Sequence, residues 1–146
     1  MIDALPPLKG PLKESDLVNR YLWMNHRIDL QWRRVRLGVL PMKDLARAYL
    51  VILRWADAIV VHDGKILIIE AKLRPEPGAI GQLEMYERLF RATPEFYTYQ
   101  NWPVQLVLLT PVMDIQLVDF CASKNIMYVL FDPTGRTSTS YHGAVA

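Results

Sequence analysis

The sequence predicts an α/β domain, a mixed β-sheet flanked by helices in the order αβββαβαβ. Three observations predict it. Two apolar, β-branched runs flank Asp63-Gly64, the strongest short-range signal for a tight β-hairpin with a type I′ turn. Residues 104–131 read as a buried strand, a helix and a second strand, a unit normally closed as a right-handed parallel crossover. Two further segments carry apolar residues at helical spacing: Leu17, Val18, Tyr21 and Leu22, and then Ile80, Leu83, Tyr86, Leu89 and Phe90.

The elements follow in order. Residues 1–13 hold three prolines and read as an irregular arm. Residues 14–26 form the first helix and 28–37 a strand that ends at Gly38. A helical turn over 41–48 has Pro41 near its start. The hairpin runs over 50–61 and 65–73. A helix over 76–92 is ended by Pro94. A strand over 104–110, a helix over 114–124 and a strand over 126–131 complete a single domain over 14–132. Residues 133–146, rich in Ser, Thr and Gly from Arg136 onward, read as a flexible tail.

Composition narrows the function classes. A chain of 146 residues, 51% hydrophobic and 22% charged, can bury a core without staples. One cysteine, Cys121, allows no internal disulfide and no four-cysteine zinc or iron–sulfur site. A lone cysteine suits a reducing compartment, so a cytoplasmic location is expected. No apolar stretch reaches the length of a membrane span. The net charge of +2 is unevenly spread. Residues 1–54 carry ten Lys+Arg against five Asp+Glu, and residues 55–146 seven against ten. Arg33, Arg34 and Arg36 cluster on a predicted strand, where Arg34 and Arg36 share a face and Arg33 takes the other. The patch reads either as a phosphate-binding, salt-sensitive surface or as a solvated face.

The hairpin concentrates the chemistry. With Asp63 and Gly64 as the loop, His62 pairs with Lys65, and counting back pairs Asp57 with Glu70 and Trp55 with Lys72, these last four sharing a face. Opposed residues have Cβ atoms about 4.5–5.5 Å apart. Two carboxylates would stand side by side, an arrangement that destabilises a sheet and costs more if buried unpartnered. A hard divalent cation such as Mg²⁺ or Mn²⁺ removes that conflict. The plain alternative is an edge hairpin with three solvated charges. Against it, Val60, Val61 and Ile66 to Ile69 make both faces apolar, as in a central strand.

Asp57, a spacer, Glu70-Ala71-Lys72, and then Gln82-x-x-x-Tyr86 on the next helix resemble the PD-(D/E)XK phosphodiesterase superfamily, in the branch with a Gln-x3-Tyr motif that includes exonuclease-type and phage nucleases. The motif match spans residues 55–89. Ala56 stands where the family's name puts proline. The resemblance implies a restriction-endonuclease-like core and a metal-dependent nuclease acting on nucleic acid, with DNA the expected substrate. In that reading Asp57, Glu70 and the carbonyl of Ala71 hold Mg²⁺ or Mn²⁺. Lys72 orients water or stabilises developing charge. Gln82 and Tyr86, one helical turn apart, bind the nucleic-acid backbone or steady the lysine.

Glu14 matches an upstream helical glutamate of the family that often joins the metal site, and reads equally as a helix-start residue near the dipole's positive end. Tyr86 reads equally as core. The alternative function is a non-catalytic nucleic-acid-binding or assembly protein that keeps the fold. Specificity is expected to come from loops, a homodimer or a protein partner, and the compactness suits a phage or mobile element.

His26, His62 and His142 share no metal-binding spacing. His62 is expected to be solvated beside the turn, and His26 to end a helix, where a cation is mildly favoured. Tyr97, Tyr99 and Trp102 read as loop packing or as a stacking platform.

Overall fold

A computed structural model describes residues 5–38, 54–134 and 137–142. The predicted helical turn over 41–48 and the start of the hairpin over 50–53 lie outside the described residues, as do Lys43 and Arg47 of the basic half.

Six strands form one sheet in the spatial order β1-β2-β3-β4-β5-β6. They are β1 (Leu30–Leu37), β2 (Arg54–His62), β3 (Lys65–Ala71), β4 (Val104–Thr110), β5 (Ile126–Asp132) and β6 (Thr137–Tyr141). β1, β2 and β3 pair antiparallel, β3-β4 and β4-β5 parallel, and β5-β6 antiparallel. Helix α1 (Glu14–His26) precedes the sheet, α2 (Gly78–Ala92) links β3 to β4, and α3 (Ile115–Ser123) links β4 to β5. The mixed α/β architecture is thus the one expected from the sequence.

Each face of the sheet buries its own core. Leu17, Val18, Tyr21 and Leu22 of α1 pack with Val60, Leu67, Ile69, Val107 and Val129. Leu83, Tyr86 and Phe90 of α2 and Leu117 of α3 pack with Ile59, Ile66, Ile68, Leu106 and Leu108 on the other face. The central strands therefore read apolar on both faces, as double-sided burial requires.

Local chemistry sets the helix ends. Asp16 reaches back to accept the Lys13 N–H at 2.9 Å, which satisfies a donor at the start of α1. Asp114 caps α3 by accepting the Leu117 N–H at 3.0 Å. At the hairpin tip Asp63 and Gly64 have φ of 54° and 75°, the left-handed pair that a type I′ turn demands. Tyr99 packs on Trp102 and Trp32 with ring centroids 5.0 and 6.2 Å apart, while Tyr97 stays exposed.

Two sequence expectations are corrected here. Thr137–Tyr141 pairs along β5 from Tyr128 to Asp132, where a loose segment was expected. Backbone ladder bonds to the open edge of β5 outweigh the polar composition, because an edge strand can keep its Ser and Thr side chains in water. The second correction concerns β1 and β2. Their register is constant, yet the ladder is interrupted where Arg34 opposes Asp57, between the pairs Arg33–Ala58 and Val35–Ala56. Arg34 has φ of 50°, a left-handed geometry that costs roughly 1–2 kcal/mol for a non-glycine residue.

The alternation of faces reverses across that point. Trp32, Val35 and Leu37 all pack toward α2, as do Ala56 and Ile59. The side-chain period of two therefore fails locally, much as at a bulge.

Candidate active site at the open end of the β2–β3 hairpin

The β2–β3 ladder runs from His62–Lys65, as expected, to Ala58–Ile69 and stops there. Asp57–Glu70 and Trp55–Lys72 are therefore not ladder pairs, because the interruption at Asp57 turns the strand before it reaches them. A side-chain bond takes over. The Ala71 N–H donates to Asp57 Oδ2 at 2.7 Å, so Asp57 still ends beside the close of β3. β3 is held on its other edge by the Lys72 N–H, which donates to the Leu109 carbonyl at 2.9 Å.

Glu70 is the centre of the cluster. It is only 5% exposed. Burial, and then the adjacent Asp57 carboxylate, push its carboxyl up to about 8, against the pull of Lys72. Lys72 Nζ lies 3.5 Å from Glu70 Oε2. The Tyr86 hydroxyl lies 3.4 Å from both Glu70 oxygens. Burial, with the negative charge of Glu70 and Asp57, pushes the Tyr86 hydroxyl well above the ordinary phenol range, so it stays a donor. Tyr86 thus serves both readings, since its ring belongs to the α2 core while its hydroxyl points at the carboxylate.

Glu14 approaches from α1. Its Oε2 accepts the Leu73 N–H at 3.3 Å, which ties the start of α1 to the residue after Lys72. Gln82 lies one turn before Tyr86, half-buried, and makes no hydrogen bond with Glu70 or Lys72. Asp57, Glu70, Lys72 and Tyr86 are therefore brought together, Glu14 stands at their border, and Gln82 is near in sequence without joining the bonded cluster. The donor set suits a hard cation: adjacent carboxylate oxygens, one of them buried and short of positive partners.

A cleft of about 420 Å³ opens beside Asp57, lined by Ser15, Asn19, Arg33, Arg34 and Trp55. Trp55 is 52% exposed, and the Arg34 guanidinium lies 5.8 Å from its ring centroid. Arg33 donates to Asn19 Oδ1 at 2.5 Å. Strict alternation would put Arg33 and Arg34 on opposite faces, but the left-handed turn at Arg34 lets both line this cleft. A neighbouring hollow is lined by the same two arginines and Arg36.

A second cluster escaped sequence reasoning. His26 and His62, the latter expected to be solvated, meet at Asp29. Their Nδ1 atoms lie 2.8 and 2.7 Å from the same Asp29 Oδ2. Burial holds His26 below its ordinary value, and the bonds to both histidines hold Asp29 below the usual carboxylate range despite partial burial. The only sequence signal was His26-x-x-Asp29, and nothing in spacing linked it to His62.

No family model matches the chain, and no curated protein matches it. Among the described residues no helix is long and apolar enough to cross a membrane. The fold is similar to that in the crystal structure of a repair endonuclease from Pyrococcus abyssi, with a TM-score of 0.54 and 15% identity over 86% of this chain. This chain spans 50% of that protein's length, and the likeness is one of fold.

Proposed function

We propose that this chain is a divalent-metal-dependent nuclease of the PD-(D/E)XK type, in the Gln-x3-Tyr branch, that hydrolyses phosphodiester bonds of nucleic acid, with DNA the favoured substrate. The observation that carries the reading is the buried Glu70 carboxylate. It is crowded by Asp57, answered by Lys72 at 3.5 Å and covered by the Tyr86 hydroxyl. Two carboxylates crowded at a buried position are costly without a compensating cation, and strongly shifted carboxylates mark functional sites. The likeness in fold to a repair endonuclease supports it.

Asp57, Glu70 and the Ala71 carbonyl would hold Mg²⁺ or Mn²⁺, with Glu14 at the border. Such an ion neutralises phosphoryl charge and lowers the pKa of attacking water. The chain's own residues do the rest. Asp57 binds the Ala71 N–H and so fixes the main chain between Glu70 and Lys72. Tyr86 orients Glu70 by donating to it. The Lys72 ammonium lies where it can orient water or stabilise charge developing at phosphorus. Arg33, Arg34 and Arg36 would meet the phosphates that lead to the site, and Trp55 offers a face for a base.

Incubation of linear duplex, single-stranded and branched DNA and structured RNA with Mg²⁺ or Mn²⁺ tests this. Cleavage by the parent that vanishes in EDTA and in Glu70→Ala and Lys72→Ala is expected. An uncleaved panel, bound equally by parent and variants, would replace the proposal with a binding or assembly role.

A further inference from the structure

We propose that His26, Asp29 and His62 form a second cation site, of the zinc class, that fastens the end of α1 to the tip of the β2–β3 hairpin. Three separate pieces of chain supply it: the last residue of α1, the turn that follows, and the last residue of β2. One ligand atom from each lies within 4.8 Å of the others. Both Nδ1 atoms already converge on one carboxylate oxygen.

Zinc bonds of about 2.0–2.1 Å in tetrahedral geometry set neighbouring ligand atoms about 3.3 Å apart. The Asp–His separations of 2.8 and 2.7 Å therefore open by about half an ångström for such bonds, while the widest ligand pair, within 4.8 Å, closes toward the same spacing. Imidazole nitrogens select a zinc-class ion over Mg²⁺, in contrast to the oxygen-only cluster at the other end of the hairpin. Asp57 and His62 lie five positions apart along β2, or roughly 16 Å at strand rise, so one ion cannot serve both.

The surroundings are built to hold the trio. The His26 carbonyl accepts the Asp29 N–H at 2.9 Å and Gln31 Nε2 at 2.8 Å, which fixes the turn. The Tyr21 ring packs edge-on against His26 at 5.5 Å. A hollow of about 260 Å³ lined by Asn25, His26, His62, Lys65 and Met127 leaves room for water as a fourth ligand. Lys65, which also lines the hollow, opposes a cation.

Zinc stoichiometry and melting temperature test the site without reference to cleavage. The EDTA-stripped chain is titrated with Zn²⁺ in competition with a chromogenic indicator. One equivalent is expected in the parent and in Glu70→Gln, together with a raised Tm. His62→Gln and Asp29→Asn should weaken that equivalent at least about tenfold. The His62 side chain is 38% exposed, so an unchanged Tm of His62→Gln in EDTA shows that its fold is intact. Absence of bound zinc would leave the trio a hydrogen-bonded clasp and overturn the proposal. So would zinc that survives both substitutions, or zinc that Glu70→Gln removes. None of these results bears on nuclease activity, so the two readings fail separately.

Discussion

The two ends of the β2–β3 hairpin pose opposite electrostatic problems. At the open end, Asp57 and Glu70 put two carboxylates together with Lys72 beside them, and burial raises Glu70 to about 8. At the tip, one carboxylate, Asp29, is shared by two ring nitrogens and is held below its usual range. The first end has more negative charge than its burial favours, whereas the second answers its one carboxylate with two imidazoles, a donor set that suits a zinc-class ion and not Mg²⁺. Charge unbalanced by the protein alone points to a ligand, and so the open end carries the functional proposal.

The largest effect that sharpens this contrast is on chemistry. Lys72→Ala should lower Mg²⁺-dependent cleavage at least about a hundredfold, measured on the best substrate of the panel, while His62→Gln leaves it near the parent rate. Equal losses would erase the distinction between the ends.

Next comes pH. In EDTA the folded value of Glu70, about 8, lies above its ordinary 4.5. Its contribution to stability is therefore complete below about pH 4.5 and is lost as pH rises to about 8. Denaturant unfolding should show a decline over that window, on the order of a few kcal/mol, which Glu70→Gln abolishes. Saturating Mg²⁺, by favouring the ionised carboxylate, should flatten it. A parent profile that rises over the window would contradict the burial argument.

A smaller effect is expected from Tyr86→Phe, which keeps the ring in the core and removes a hydroxyl 3.4 Å from Glu70. About 1 kcal/mol of stability and several-fold in cleavage rate should go; an unaltered rate would reduce Tyr86 to packing. The smallest is Arg34→Gly. Relief of the left-handed φ should offset lost contacts and leave stability within about 1 kcal/mol of the parent, while the salt dependence of DNA binding falls by about one phosphate contact.

Periodicity made most of the fold legible. The apolar stripe of Leu83, Tyr86 and Phe90 is the buried face of α2, and the turn at Asp63-Gly64 set the register at His62–Lys65. Asp57 and Glu70 were legible for the same reason, since they stand at equal distances from that turn. The interruption opposite Arg34 was not, because no glycine marks its left-handed φ. Neither was β6, whose Ser and Thr residues carry no apolar alternation. The meeting of His26 with His62 depends on how α1 lies against the sheet, and local spacing holds no record of that.

Binding of Mn²⁺ in the absence of nucleic acid tests the central claim most directly, followed by its electron paramagnetic resonance signal. The account predicts a bound ion in the parent and in His62→Gln, lost in Glu70→Gln and in Asp57→Asn. Equal binding by Glu70→Gln and the parent would contradict the assignment of the open end of the hairpin as the metal centre.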